Sequence, residues 1–293
     1  MSTPDTRVTE RELERLLAVL GWNPEPDGIL FVQASLRRLG PVEGEESDPL
    51  GRAGVVARVL RGAAGCQGTL VAYTATPENS QTSRLYLERT AGLSAAELAD
   101  HHDGMPAFDP EKTSCSPTMG WLSEAIRLLP GARRSGHPQT SFAAVGPLAQ
   151  ELSAVHPFEE HLGPRSPLGR MYDRGAHALL LGLGMEMFTP FHLVDYAADA
   201  PVQTYRAKYA EGERTYWRSF QAVRLDDLHF PELARRVVEL RDDSGRPRLE
   251  LRQTVIGCAV ATLVPVRAAV DLARDVVGDL NRPCAIAVLT EHQ

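Results

Sequence analysis

The sequence predicts an α/β fold in which helices cover both faces of a mixed β-sheet. Apolar runs typical of buried strands alternate along the chain with segments whose apolar residues recur at helical spacing. The last strands are expected to run antiparallel to their neighbours, which makes the sheet mixed. No internal repeat and no clean linker divide the chain, so residues 1–293 are expected to form a single domain.

The first half of the chain supplies strands and helices in alternation. The predicted elements are helices at 9–20, 51–64 and 119–129, and strands at 28–36, 68–76 and 140–146. A polar stretch, 77–113, interrupts them and contains one candidate short helix, "SAAELADHH" (94–102). A loop of this length inside a compact domain is usually functional.

The second half continues the alternation. The predicted elements are helices at 147–156, 190–199, 230–240 and 266–277, and strands at 177–184, 215–223 and 252–264. The strand "HALLLGLG" (177–184) is the most hydrophobic of the chain. Its Gly182 and Gly184 lack the third glycine and the downstream acid of a dinucleotide-binding fingerprint, so they indicate only a flexible strand end.

The composition is that of an ordinary globular protein, with 43% hydrophobic and 24% charged residues. The formal net charge of −7 disfavours nucleic acids and anionic membranes as partners and suits a cationic ligand. No apolar stretch approaches the roughly 20 residues that span a bilayer. The polar, acidic start "MSTPDTRVTERELERLLAVLGW" lacks the pattern of a signal peptide, so a cytoplasmic location is expected.

A cluster of polar residues follows the strand at 177–184. Thr189 is predicted as the N-cap of the next helix, with His192 at its third helical position. Asp195 comes three residues later on the same face, and Glu186 lies just before the cap. The cluster therefore lies beyond the carboxyl end of a strand, where open α/β sheets bind ligands.

Two interpretations of His192 remain open at this point. The positive end of a helix would disfavour the charged imidazole, and Asp195 would fix the ring, so His192 could act as a general base. Alternatively, the segment is an ordinary helix start with a histidine in its buried face. These residues alone favour the second interpretation, because most lone histidines are structural.

The sequence does not predict a metal site or a cysteine nucleophile. His101 and His102 are adjacent, so they point in different directions and do not form the i, i+4 pair of a helical zinc site. The cysteines, Cys66, Cys115, Cys258 and Cys284, are scattered and form no C-x-x-C motif. No base is tied to Cys115 by sequence, so we expect a structural thiol there.

Longer motifs give a family resemblance. They are Phe108-Asp109-Pro110, Pro130-Gly131, Arg134-Ser135-Gly136-His137-Pro138 and Ser141 to Gly146, followed by the stretch 156–198. In this order they resemble the aminoglycoside 3-N-acetyltransferase family. Residues 31–44 and 68–74 are similar to the first two strands of that family, and 255–273 to its end. The resemblance covers nearly the whole chain.

The resemblance implies a three-layer α/β/α sandwich, distinct from the common N-acetyltransferase fold. It implies transfer of an acetyl group from acetyl-coenzyme A (acetyl-CoA) to an amine of an aminoglycoside, without a metal. The catalytic segment of the family falls on Glu186, Thr189, His192 and Asp195, with His192 as general base in a direct transfer. Asp195 would orient the ring, and Glu186 would either hold the substrate ammonium or share the orienting role.

The resemblance also implies binding residues. For coenzyme A (CoA) they are Ser35, Leu36, Arg134, Ser135, His137 and Ser141; for the amine they are Glu186, Asp109 and Tyr73. Arg134 would pair with phosphates, although a solvated basic turn is the alternative. His137 would contact the pantetheine or serve as an oxyanion donor. A homodimer is expected as a possible assembly.

Three departures from the family pattern bear on function. Gln33 stands where the family has a histidine, Asp195 replaces a glutamate, and the loop 73–88 lacks the tryptophan usual near the substrate. The acyl group and the amine are therefore both open. The alternatives are the same N-acyl transfer on another amine in secondary metabolism and, from a different class, a binding protein without turnover.

Overall fold

A seven-stranded mixed sheet forms the centre of the fold in a computed structural model that describes residues 7–23, 27–44, 48–196 and 200–280. The strands are β1 (Ile29–Ala34), β2 (Thr69–Tyr73), β3 (Arg133–Arg134), β4 (Phe142–Val145), β5 (His177–Leu181), β6 (Val202–Glu211), β7 (Arg214–Val223), β8 (Arg252–Ile256) and β9 (Ala259–Pro265). The sheet order is β3-β4-β2-β1-β5-β9-β8. Strands β2, β1 and β5 are parallel, whereas the strands outside them are antiparallel to their neighbours.

Helices cover both faces of this sheet. The helices of the described residues are α1 (Glu10–Val19), α2 (Leu36–Leu39), α3 (Pro49–Ala63), α4 (Arg84–Thr90), α5 (Ala95–Gly104), α6 (Trp121–Arg127), α7 (Ala149–Ala154), α8 (Pro167–Asp173), α9 (Phe230–Glu239) and α10 (Val266–Leu280); α4 and α5 lie outside both cores of the sheet. Helices α1, α3 and α6 pack into one apolar core, and α7 to α10 into another on the opposite face. The α/β/α sandwich with a mixed sheet is thereby confirmed.

Strand β1 shows why the sheet is buried on both faces. Leu30 and Val32 point into the core with α1 and α3, whereas Ile29 and Phe31 point into the core with α8 and α10. Successive side chains of a strand point to opposite faces, so an unbroken apolar run fits a strand covered on both sides.

A separate two-stranded sheet, β6 and β7, contacts the polar stretch 77–113, which we call the excursion. Ser80 forms an isolated bridge with Ala207, and Phe108 forms one with Tyr209. The Lys208 ammonium donates hydrogen bonds to backbone carbonyls just after and at the end of α5, including that of Met105 at 3.0 Å. The excursion contains the expected short helix, as α5, and a second helix, α4, that the sequence did not predict.

The predicted strand at 252–264 is wrong in one respect, because it is a hairpin of β8 and β9 rather than a single strand. The chain reverses at Gly257, whose φ is +56°. A Cβ at Gly257 would lie 2.4 Å from the Leu39 carbonyl oxygen, so both the turn and the close packing require glycine. The turn was not predicted, because the apolar end of β8, Val255 and Ile256, continues into the apolar strand β9 with only Gly257 and Cys258 between them.

Two further expectations can be placed here. No helix in the described ranges is long and apolar enough to cross a bilayer. The assignment of residues 1–293 to one domain stays a prediction, and Cys284 lies outside the described residues.

Candidate active site

A cavity of about 710 Å³ opens where the carboxyl ends of β1, β2 and β5 meet. The parallel strands bring these ends to one edge of the sheet, as expected for a ligand site in an α/β fold. The predicted site residues that line the cavity are Ser35, Leu36, Tyr73, Glu186, Thr189 and His192. The structure therefore brings together residues from three distant parts of the sequence.

The segment that carries His192 is a 3-10 helix, Thr189–Val194, and the predicted α-helix over 190–199 is wrong. Residues 197–199 lie outside the described part of the chain. Thr189 is the first residue of this short helix, and no side-chain cap precedes it, so its predicted N-cap role is also wrong. With only two turns, the segment does not support the argument from the positive end of an α-helix.

The 3-10 geometry explains the spacing of the candidate catalytic residues. A 3-10 helix has three residues per turn, so side chains three positions apart lie one above the other. Thr189, His192 and Asp195 are spaced by three residues and thus share one face. The backbone amide of Asp195 donates to the His192 carbonyl at 3.1 Å, which closes the last turn.

His192 is held by Asp195, as the sequence predicted. Its Nδ1 lies 2.7 Å from Oδ2 of Asp195, and both side chains are 13% exposed. The other carboxylate oxygen of Asp195 lies 3.3 Å from Nε2 of His229. The ring of Phe230 packs on the imidazole at 4.7 Å between centroids. In the described chain, Nε2 of His192 bonds to no protein group and is available to a ligand.

Gln33 replaces the histidine of the family pattern and forms hydrogen bonds to Met187 and Thr189, at the start of the 3-10 helix. Its Nε2 donates to the Met187 carbonyl and to Oγ1 of Thr189, both at 2.7 Å. Its Oε1 accepts the Thr189 amide at 3.2 Å. The end of β1 is thereby tied to the first turn of the 3-10 helix.

The acidic residues of the cavity are Glu186 and Asp227. Neither carboxylate forms an ion pair with another described residue. Asp227 was not predicted from the sequence. Its signal was weak, since the pair Asp226-Asp227 before α9 looks like an ordinary polar loop.

A second cavity of about 680 Å³ adjoins the first, and both are lined by Tyr73, Thr118, Met119 and Asp227. Part of its wall comes from the loop that departs from the family pattern, namely Pro77, Thr82, Ser83, Arg84, Leu85 and Glu88. The Glu88 carboxylate is paired with Arg84 at 2.8 Å. Two ligands could therefore meet at the shared residues.

Comparison with known proteins identifies the family. The family model for aminoglycoside 3-N-acetyltransferase matches residues 31–277. The chain belongs to this family. It is 33% identical over 230 residues to aminoglycoside N(3)-acetyltransferase VII of Streptomyces paromomycinus, a match that covers 77% of this chain and 74% of that relative.

Solved structures agree with this assignment to the aminoglycoside 3-N-acetyltransferase family. The structure of AAC-VIa with bound sisomicin is 25% identical, with a TM-score of 0.75, and the match covers 94% of this chain and 99% of that one. The binary complex of AAC-IIIb with CoASH is 26% identical, with a TM-score of 0.72, and the match covers 92% and 96%. The chain is accordingly an acetyltransferase of this family.

In this acetyltransferase, Arg134 and Ser141 do not line either cavity. The Arg134 guanidinium donates to Oγ of Ser141 at 2.9 Å, to the Thr74 carbonyl at 2.6 Å and to the Thr113 carbonyl. Burial lowers the pKa of Arg134 to about 10, so the side chain stays charged at neutral pH. This geometry indicates a brace between loops and does not support the predicted contact with phosphates.

Ser135 and His137 are fully buried and line neither cavity. Nε2 of His137 is 3.2 Å from the Phe158 carbonyl, and its Nδ1 accepts the Thr140 amide at 3.2 Å. Burial lowers the pKa of His137 to about 3, so the ring is neutral. Oγ of Ser135 accepts the Phe142 amide at 2.9 Å. The motif thus shapes a turn, and its predicted contacts with CoA are not supported by this placement.

Asp109 has a similar structural environment. Its Oδ1 accepts the backbone amides of Glu111 at 2.8 Å and Lys112 at 3.1 Å, which closes a turn in the excursion. Asp109 lines neither cavity, so its predicted contact with the amine is not supported. Tyr73, the other predicted contact, lines both.

Two chemical alternatives have little support at this site. Burial, reinforced by the nearby Glu124 carboxylate, raises the pKa of Cys115 to about 12, which leaves the thiol protonated and a poor nucleophile. Among the described residues, no group of three or more His, Cys, Asp or Glu side chains could hold a metal ion.

Proposed function

We propose that this enzyme transfers the acetyl group of acetyl-CoA to the 3-amino group of an aminoglycoside, which would make it a resistance enzyme. The names of its relatives and the bound ligands of the similar structures, sisomicin and CoASH, support this proposal. Ser35 and Leu36, the family segment for CoA, line the same cavity as His192. The thioester would lie in this cavity, and the amine would enter through the second one.

The observation that carries the mechanism is the contact between His192 and Asp195. A carboxylate accepts the proton on Nδ1, which leaves the lone pair of the imidazole on Nε2, the nitrogen without a protein partner. His192 would take a proton from the amine as its nitrogen attacks the thioester carbonyl. The C–S bond then breaks, the protonated His192 gives its proton to the leaving sulfur, and the products are the amide and CoA thiol.

Charge in the cavities supports a cationic acceptor. Glu186 and Asp227 are carboxylates without an ion pair among the described residues, and both line the cavity of His192. Glu186 would hold an ammonium group of the substrate, and Asp227, at the junction of the cavities, would hold a second one. Opposite charges in a partly closed cleft attract each other more strongly than in bulk water.

A second candidate is the same transfer on a different amine of secondary metabolism. The wall of the second cavity supports it, because residues within 77–88 supply part of that wall and belong to a loop that departs from the family pattern. With Glu88 paired to Arg84, this wall has less free negative charge than a polycation would favour.

The test is a thiol-release assay with acetyl-CoA and a panel of amines. The panel contains aminoglycosides with and without a 3-amino group, other polyamines and simple amines, with and without a chelator. Fast release only with 3-amino aminoglycosides, at unchanged rate with the chelator, supports the first proposal. Fast release with another amine selects the second candidate, and no release with any amine contradicts both.

A further inference from the structure

The side-chain amide of Gln33 has a defined orientation. The Thr189 backbone N–H can only donate, so the Gln33 atom that faces it at 3.2 Å must be the carbonyl oxygen, Oε1. The amide nitrogen is then the atom that faces the Met187 carbonyl and Oγ1 of Thr189, and it donates one hydrogen to each. The hydrogen-bonding network thus fixes an assignment that an isolated amide would leave open.

This orientation constrains the Thr189 hydroxyl. Because Oγ1 accepts a hydrogen from Gln33, the hydroxyl's own hydrogen has to point elsewhere. In the described chain, no protein group accepts that hydrogen, while Thr189 lines the cavity on the same 3-10 face as His192. The remaining direction is into the cavity, toward a ligand beside the imidazole.

We infer that Gln33 is a positioning residue that holds the Thr189 hydroxyl as a hydrogen-bond donor for the oxyanion of acyl transfer. The inference rests on the proposed function. When the amine nitrogen attacks, the π electrons of the thioester carbonyl move onto its oxygen, and Thr189 donates to that negative oxygen. The electrons return as the C–S bond breaks, CoA leaves as the thiolate, and the amine proton passes to Nε2 of His192.

The effect of Gln33 follows from the size of such a donor. Removing one preorganised donor to an oxyanion typically lowers kcat by about 10²–10³. If the hydroxyl hydrogen of Thr189 turns away from the cavity, the oxyanion loses its donor as completely as if the hydroxyl were deleted. Gln33 should therefore influence kcat without touching the substrate.

The decisive substitution is Gln33→Glu, which keeps the shape but reverses the hydrogen bonding. A carboxylate accepts both from the Thr189 amide and from its hydroxyl, so it draws the hydroxyl hydrogen out of the cavity. We expect a fall in kcat of about 10²–10³ with the Kd of CoA nearly unchanged, and a lower melting temperature, because a carboxylate oxygen then faces the Met187 carbonyl. Thr189→Val should give the same fall, and Gln33→Glu should add little in the Thr189→Val background.

A matched control lies on the sheet. Gln253 of β8 donates through Nε2 to Oγ1 of Thr262 at 3.0 Å, a pair of the same kind that lines neither cavity. Gln253→Glu makes the same chemical change and should leave kcat unaltered. Equal losses in the two Gln→Glu variants, or an active Gln33→Glu enzyme, would overturn the role of Gln33.

A measurement without turnover separates this inference from the proposed function. Neutron diffraction of the deuterated protein with CoA locates the Thr189 hydroxyl deuterium. A deuterium directed into the cavity, with both Gln33 amide deuteriums on Met187 and Thr189, supports the inference even if no amine in the panel is acylated. A hydroxyl deuterium on Gln33 refutes it even if the enzyme is an active aminoglycoside acetyltransferase.

Discussion

Nδ1 of His192 lies 2.7 Å from Oδ2 of Asp195, and this contact sets the chemistry of the candidate site. It directs the free lone pair of the imidazole to Nε2, which faces the cavity. Asp195 also approaches His229 at 3.3 Å through its other oxygen, so both oxygens face imidazole nitrogens. The carboxylate is thereby restrained on both sides, and the ring orientation of His192 is restrained with it.

Replacing His192 with glutamine should lower kcat by about 10²–10⁴, the usual contribution of a general base. Glutamine fills similar space and cannot take up the amine proton. The Kd of CoA, from calorimetry, should change little. His101→Gln on α5, which lines neither cavity, is the control. A folded His192→Gln enzyme with near-normal turnover would make His192 a structural residue.

Replacing Asp195 with asparagine should also lower kcat by about 10²–10⁴, because the amide no longer fixes the proton on Nδ1. The side chains act as a unit, so the double variant with His192→Gln should be scarcely slower than His192→Gln alone. Steady-state kinetics of the three variants measures this. Multiplicative losses would show that Asp195 acts independently of the histidine.

The fold followed from the sequence where burial leaves a clear pattern. Strands β1, β2 and β5 are short apolar runs covered on both faces, and α1 and α9 bury one stripe each. Strand β6 was not predicted from the sequence. It belongs to a surface hairpin, its buried and exposed residues alternate only weakly, and it contains arginine and lysine. Its position depends on contacts with the distant excursion, which no local pattern encodes.

The site was less predictable, because local geometry decided it. Spacing of three residues fits a 3-10 helix better than an α-helix, yet a Thr-Pro start is typical of both. The motif around Arg134 and His137 is distinctive for the family, but a motif does not say whether its side chains face a ligand or brace a loop. Burial answers that question, and only the folded chain reveals it.

Cys115 should resist alkylation in the native protein. Burial and the neighbouring Glu124 carboxylate raise the pKa of its thiol to about 12, and the side chain is 6% exposed. Iodoacetamide at pH 8 should modify the exposed Cys66 and Cys258 first, as peptide mass spectrometry would show. Cys115→Ala should transfer acetyl groups at the wild-type rate, because direct transfer from acetyl-CoA to the amine needs no thiol on the enzyme. Rapid labelling of Cys115, or an acetyl group trapped on it, would favour a covalent intermediate.

The buried pair of Glu124 and Arg127, 2.7 Å apart, should be essential for stability. Burial alone would raise the pKa of Glu124, but hydrogen bonds from Arg127 and the Cys115 amide outweigh it and lower the pKa to about 2. Arg127→Met leaves the buried Glu124 carboxylate without a charged partner. It should lower the free energy of unfolding, measured by urea denaturation at pH 7, by about 3–5 kcal/mol.

The pair also has a pH signature. Because the folded pKa of Glu124 lies below the unfolded one, the stability it contributes is complete above about pH 4.5 and is lost as the pH falls toward 2. The cost of Arg127→Met should therefore shrink in acid, and adding Glu124→Gln should recover part of it at pH 7. A cost that is small and independent of pH would mean that water reaches the pair.

His161 should destabilise the protein in acid, and His161→Phe should relieve this. Its ring is buried and packs against Tyr205 with 4.2 Å between ring centroids, and neither ring nitrogen has a hydrogen-bond partner. Burial, followed by the nearby His137 and His156, lowers the pKa of His161 well below its usual range. Below about pH 6.5 the unfolded chain takes up a proton that the folded chain refuses, so stability falls with pH.

Phenylalanine keeps the aromatic packing and binds no proton. The free energy of unfolding of His161→Phe, measured by urea denaturation, should be about 1 kcal/mol higher than that of the wild type at pH 7.5. The reason is that the variant has no buried ring nitrogen without a partner at this position. The difference should grow by about 1.4 kcal/mol for each pH unit below 6.5. Phe220→Leu alters the same aromatic cluster without removing a titrating group. Its effect on the free energy of unfolding should therefore be equal at pH 7.5 and below pH 6.5. If phenylalanine is too large for the site, His161→Leu should show the same dependence of the free energy of unfolding on pH. If the free energy of unfolding of both variants depends on pH as the wild type's does, His161 is protonated in the folded protein.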